Sequence, residues 1–221
     1  MAPEQESFLL KKQKNKVFCI GRNKTGTTSL EKALRELGFK MGDQSRAEWL
    51  LPYYKERNFS PIIDFCRTAD AFQDAPFSYP YTFIALYQAF PDAKFILSVR
   101  NNDEEWYQSV LRFQSKNIGK NGALPSAEDL KNATYRYKGF MWEMFQALYQ
   151  TPENDPYNKE TLIAHYNFHN QMARDFFRDK PNFLEINVSE EGAYQKLCGF
   201  LNVSPVRQEF PWENKSFAPN P

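Results

Sequence analysis

Two glycines, a lysine and a run of hydroxyls stand together in Gly21-Arg22-Asn23-Lys24-Thr25-Gly26-Thr27-Thr28-Ser29. Ahead of them Lys16-Val17-Phe18-Cys19-Ile20 reads as a short buried strand. After them Leu30, Ala33, Leu34 and Leu37 fall at i, i+3, i+4 and i+7, a helical stripe that Gly38 is placed to stop. A turn of this composition between strand and helix aims backbone N–H groups, the positive end of a helix dipole and a mobile ammonium at one point. That arrangement suits a phosphate. It is not the G-x-x-x-x-G-K-[ST] loop of nucleotide triphosphatases, because Thr27 holds the place of that lysine and Lys24 comes earlier. An ordinary strand-to-helix turn would explain a lone glycine pair. The run Lys-Thr-Gly-Thr-Thr-Ser opening a helix favours the phosphate.

Two further residues follow apolar strands and could act at the same place. Arg100 closes the strand Lys94–Val99, and a helix begins near Asn102 with Glu105 as its capping-box partner and Ser109 further along. Asp74 closes a short strand in Ala71-Phe72-Gln73-Asp74-Ala75-Pro76. Taken alone, Arg100 is an ordinary strand-end arginine and Asp74 a turn-capping aspartate. In a parallel α/β sheet, however, ligands bind beyond the carboxyl ends of the strands, so Lys24, Asp74 and Arg100 are expected to face one crevice. His169 lies on an otherwise apolar helical stripe and reads as a core histidine, and His165 as exposed. No cluster of His, Cys, Asp and Glu has metal-ligand spacing, and no metal is expected.

At this point the residues resemble a family. Lys24-Thr25-Gly26-Thr27-Thr28 resembles the 5′-phosphosulfate loop of sulfotransferases that use 3′-phosphoadenosine 5′-phosphosulfate, PAPS. The stretch Asp92 to Arg100, with Trp106-Tyr107-Gln108-Ser109 after it, resembles their second signature, a strand ending in Arg and then a helix carrying Ser. His169-Asn170, Phe176-Phe177, Leu197 to Leu201 and Phe210 to Lys215 resemble a bacterial and algal branch in order and spacing. The resemblance implies that Arg22, Asn23, Lys24, Thr25, Gly26, Thr27, Thr28 and Ser29 hold the phosphosulfate. It implies that Arg100 and Ser109 hold the 3′-phosphate and that Asn214 and Lys215 cover the nucleotide. Lys24 would stabilise the transferring group and Asp74 would be the general base, with PAPS as donor, PAP as product and no metal. One departure stands out: where the family reads Arg-Asp-Pro, Arg100 is followed by Asn101-Asn102-Asp103, and Ser109 follows Arg100 by nine residues where the family has eight. The expected reaction moves a sulfuryl group to a hydroxyl or amine of a small-molecule or glycan acceptor. A small-molecule kinase of the phosphate-loop class is the alternative enzyme, disfavoured by the displaced lysine. A non-catalytic nucleotide-binding protein is the alternative outside enzymology.

The elements that must position these residues alternate strand and helix, which predicts a three-layer α/β/α fold around a parallel sheet; the resemblance implies that this is the phosphate-loop-like sulfotransferase fold. One domain is expected over 16–215, with a polar tail at 1–15 and a short tail at 216–221. Ser45 to Asn58 reads as a helical stretch interrupted by Pro52, and Tyr81 to Phe90 as a helix. One long helix is expected to carry Leu130, Thr134, Tyr137, Met141, Phe145 and Leu148 on a single face. Another carries Leu162, Tyr166, His169, Ala173 and Phe176; a last strand spans Phe183–Val188 and a last helix Glu190–Leu201. Across 221 residues, 28 basic and 27 acidic side chains nearly cancel, which argues against a broad nucleic-acid or membrane surface. Nothing approaches the run of about 18 apolar residues a membrane helix needs. Cys19, Cys66 and Cys198 are widely spaced and form no disulfide or zinc pattern. The polar start has no apolar centre of a secretion signal, so the expected location is cytoplasmic. The Asn-x-Ser/Thr sites, Asn23 among them, read as a by-product of an asparagine-rich chain.

Overall fold

The computed structural model describes residues 15–211. Its strands are β1 (Val17–Cys19), β2 (Ala71–Phe72), β3 (Lys94–Ser98) and β4 (Phe183–Ile186). They form one all-parallel sheet in the order β2-β1-β3-β4. The helices are α1 (Thr27–Glu36), α2 (Gln44–Glu48), α3 (Leu51–Lys55), α4 (Ser60–Phe65), α5 (Thr82–Ala89), α6 (Asp103–Asn117), α7 (Ala127–Asn132), α8 (Phe140–Leu148), α9 (Lys159–Phe177) and α10 (Ala193–Leu201). The fold is the expected layered α/β arrangement with a central parallel sheet.

Strand side chains alternate between two cores, as a two-residue period requires. Phe18, Ile20, Phe72, Phe95 and Leu97 enter the larger one, with Phe83, Trp106, Tyr166 and Phe177. Val17, Cys19, Ala71, Ile96, Leu184 and Ile186 enter the other, where Leu30, Ala33 and Leu34 of α1 meet Tyr194 and Leu197 of α10. Both faces of the sheet are therefore covered, which explains why its strands read as nearly continuous apolar runs. The edges are covered too. Beside β2, the Asp70 and Ala71 amides donate to the Lys40 carbonyl, and the Gly42 amide donates to the Ala71 carbonyl at 2.8 Å. On β4, both Glu185 carboxylate oxygens accept from Arg174 at 2.7 Å, and Lys196 donates to the Glu185 carbonyl at 3.1 Å.

The sheet reverses direction of growth at β1, since β2 lies on one side of it and β3 on the other. The crevice beyond β1 and β3 is thus the switch point where such folds bind ligands. Three elements differ from expectation. Pro52 opens α3 instead of interrupting a helix, at a first-turn position where its missing N–H costs nothing. The strand before Asp74 is only Ala71–Phe72, so Asp74 lies in the following turn, at φ 58° and next to a cis Ala75–Pro76 bond. The long helix expected across Leu130 to Leu148 is two helices. Between them Ala133 turns extended, Thr134 bridges Lys138, and Arg136 reaches across to Glu48 of α2. A tertiary pairing has overridden a continuous helical periodicity. Among the described residues no helix is long and apolar enough to cross a membrane.

Candidate active site

The turn between β1 and α1 is held from below. Thr25 is fully buried; its hydroxyl donates to the Arg22 carbonyl at 2.6 Å and meets the Ser98 hydroxyl at 2.6 Å. Gly21 lets this happen: a Cβ there would lie 2.4 Å from the Ser98 carbonyl oxygen, so β1 and the end of β3 touch backbone to backbone. Lys24 at φ 69° and Gly26 at φ 92° are both left-handed, and a Cβ on Gly26 would strike Val188 at 2.3 Å. Two left-handed residues so close together curl the loop tightly, the kind of backbone that forms anion-binding concavities. No side chain caps the N-terminus of α1. Its first turn is Thr27, buried, with Thr28, exposed, and Ser29, half-buried. A helix end with free amides and a lysine beside it can hold an anionic oxygen cluster.

The second motif grips the first. Arg100 donates from Nε to the Lys24 carbonyl at 2.7 Å, and its Nη1 meets Glu105 at 3.2 Å. Trp106 donates from its indole nitrogen to the Asn23 carbonyl at 2.9 Å and stacks on Tyr166, ring centroids 4.5 Å apart. The β3–α6 unit therefore fixes two consecutive carbonyls of the loop, and with them the peptide planes to which the neighbouring amides belong. Asn102 caps α6 as expected, accepting from the Glu105 amide. Glu105 does not close the box; its carboxylate goes to Arg100 and to Asn101 at 2.7 Å. Ser109 lies one turn beyond Trp106 on α6, buried. Asn214 and Lys215 lie outside the described residues.

Arg22 reaches to the turn after β2 and to the end of α8. Its guanidinium donates to the Ser78 carbonyl at 3.0 Å and to the Tyr149 hydroxyl at 2.6 Å, forming the floor of a cavity. The cavity measures about 440 Å³ and is lined by Arg22, Asn23, Glu48 and Asp74 at one end, and by α6 and α8 elsewhere. Lys24 closes on it from the side, its Nζ 3.8 Å from the centroid of the Phe113 ring. Asp74 is half-buried at the junction, its carboxyl pushed up to about 6. Desolvation is the chief cause and Glu48 adds to it, while Lys24, Arg22 and the Ala75 amide pull the other way. Burial likewise lowers the Lys24 ammonium; Asp74 opposes that shift and Arg100 assists it. A carboxylate whose basicity is raised beside a lysine whose charge is poorly solvated can accept a proton and stabilise developing negative charge.

The sequence did not point to Glu48, which lies on a short helix far from any motif. Its carboxylate accepts from Arg136 in the 133–139 loop, and only the fold brings the two together. His169 is fully buried, its Nε2 2.8 Å from the Ile20 carbonyl, and burial pushes it down to about 3, so it is a neutral core residue as expected. His165 is half-buried against the Tyr149 ring, not exposed, because α9 packs closer to α8 than a solvated face would. Among the described residues no three His, Cys, Asp or Glu side chains gather as a metal site.

Comparison with known families agrees with this arrangement. A model of the family described as the sulfotransferase domain matches residues 16–218. No curated protein matches the chain.

Proposed function

The chain belongs to the sulfotransferase domain family, and from that premise we propose that it transfers a sulfuryl group from PAPS to the hydroxyl of an acceptor held in the 440 Å³ cavity. The observation that carries this reading is the meeting of three strand-end groups. Arg100 is bonded to the Lys24 carbonyl, and Lys24 and Asp74 are electrostatically coupled at the mouth of the cavity. The amides of Thr25 to Ser29 and the hydroxyls of Thr27, Thr28 and Ser29 would hold the 5′-phosphosulfate at the uncapped end of α1. Arg100, which keeps Nη2 beyond its two bonded nitrogens, would offer the 3′-phosphate a charge-assisted donor, and Ser109, buried on α6, would add its hydroxyl. Arg22 contributes as a brace of the cavity floor.

In the transfer, Asp74 takes the acceptor's hydroxyl proton as that oxygen bonds to sulfur. Lys24 neutralises the charge that accumulates on the bridging oxygen as the donor's S–O bond breaks and PAP departs. Direct attack of the acceptor on sulfur needs only these two groups and a fixed donor, because most of the acceleration comes from positioning and preorganised charge.

Thermal melting with PAP, with ADP and magnesium, and without ligand tests the donor. PAP should raise the melting temperature and ADP with magnesium should not. Arg100→Ala should lose most of the PAP shift, since a charge-assisted phosphate contact contributes roughly 1.5–3 kcal/mol. A larger shift with ADP and magnesium would favour the kinase instead.

A further inference from the structure

We infer that the acceptor is a compact, uncharged ring alcohol or phenol, not a sugar, with its hydroxyl at Asp74 and its ring body against Phe113, Phe140 and Met144. This rests on the sulfotransferase reading and adds the chemistry of the second substrate.

The polarity of the cavity is lopsided. Its charged lining residues, Arg22, Glu48 and Asp74, all come from the end formed by the β1–α1 turn, α2 and the turn after β2. None of the lining residues contributed by α6 and α8 is charged. Arg22 is hydrogen-bonded to Ser78 and Tyr149, and Glu48 is paired with Arg136. Asp74 and the neighbouring Lys24 are left to meet a substrate hydroxyl at that end. A second charge lying against Phe140, Met141, Met144 and Leu148 would meet no counter-ion among the lining residues of α8, which is unfavourable.

A sugar fails for a related reason. Its ring hydroxyls away from Asp74 would lie against Phe140, Met141, Met144 and Leu148 of α8, none of which carries a hydroxyl, an amide or a charge. Asn117 donates to the Phe113 carbonyl at 2.8 Å, and Gln114 is 2 % exposed with its Oε1 3.5 Å from the Tyr157 hydroxyl. The apolar lining on this side is Phe113, Ile118, Phe140, Met141, Met144 and Leu148, a wall rich in rings and thioethers that suits the face and edge of another ring. Phe113 ties this wall to the chemistry, because the Lys24 ammonium stands over it. A ring seated there lies one side chain away from the lysine. A volume of about 440 Å³ is in the lower part of the range, about 300–1,000 Å³, that takes drug-sized molecules.

Calorimetry on the full chain saturated with PAP tests this, using 2-naphthol, N-acetylglucosamine and 4-hydroxybenzoate as probes. Naphthol should bind at least tenfold more tightly than either of the others and should be converted to its sulfate ester when PAPS replaces PAP. Met144→Glu, at a half-buried position, should weaken naphthol at least tenfold and leave PAP affinity unchanged, whereas Met144→Leu should keep both. A chain that binds no PAP removes the sulfotransferase donor reading. A chain that binds PAP but prefers the sugar or the benzoate, or binds none of the three, overturns the acceptor assignment alone. So does a Met144→Glu chain that melts normally and still binds naphthol as the wild type does.

Discussion

Burial acts on Asp74 more strongly than the cations beside it, so its carboxyl titrates near 6 in the folded chain, above the ordinary carboxylate range. A folded-state value above the unfolded one means that the folded chain holds this proton more tightly. The group therefore favours folding below about pH 4, and that contribution is lost as pH rises through 6. Asparagine has the same shape, carries no charge and tolerates the left-handed φ of 58°. Asp74→Asn should accordingly melt at a higher temperature than the wild type at pH 8, by roughly 1–3 kcal/mol of stability, with the gap closing by pH 4. The same substitution should lower turnover about a hundredfold or more and erase the acidic limb of the pH–rate profile. A variant less stable at pH 8, or one that retains most of its turnover, would mean that Asp74 is a turn residue and the base is another group. His169 has the opposite sign: held neutral down to about 3, it makes folding less favourable as pH falls below its unfolded value near 6.5. Its place in the core was readable from its apolar stripe. The direction of the Asp74 shift was not, because it depends on Glu48 and on a desolvation that no local sequence feature reports.

At the scale of elements, the two signature segments act as one unit. The link is two hydrogen bonds from β3–α6 to neighbouring carbonyls of the β1–α1 loop. Trp106→Phe would keep a ring on Tyr166 and remove the bond to Asn23. It should cost about 1 kcal/mol of stability and weaken PAP several-fold, although Trp106 is fully buried and would touch no ligand. Calorimetry and melting on the same sample separate the two effects; unchanged PAP affinity would show that the loop holds its shape without α6. These elements were legible because each carries a local signal: β1 and β3 as apolar runs, α1 by its stripe and stop, α6 by its asparagine cap. The loop 133–139 was not legible, because the spacing around it continues a helical face. The break carries a Thr134–Lys138 bridge and an ion pair from Arg136 to Glu48 of α2, a contact between elements far apart in the chain.

For the whole molecule, the alternation of strands and helices was enough to foresee a layered fold, and the parallel direction of the strands then brings their carboxyl ends to one end of the sheet. The cavity wall was beyond sequence reasoning, since α2, α6, α8 and the turn after β2 meet only once the sheet is assembled. A sheet of four strands also has two free margins, and each has been closed. The segment 40–42 occupies the outer side of β2, and β4 keeps a charge at Glu185 that Arg174 locks in place, with Lys196 on its carbonyl. Without that charge β4 would read Phe-Leu-Val-Ile, a short run of strong strand formers. Glu185→Val should therefore give markedly more light scattering on refolding at micromolar concentrations while leaving PAP binding intact. Clear solutions after refolding would show that the margin is protected by its shape alone. The Arg174–Glu185 pair, remote from the chemistry, then serves to keep one copy of the chain from becoming a template for the next.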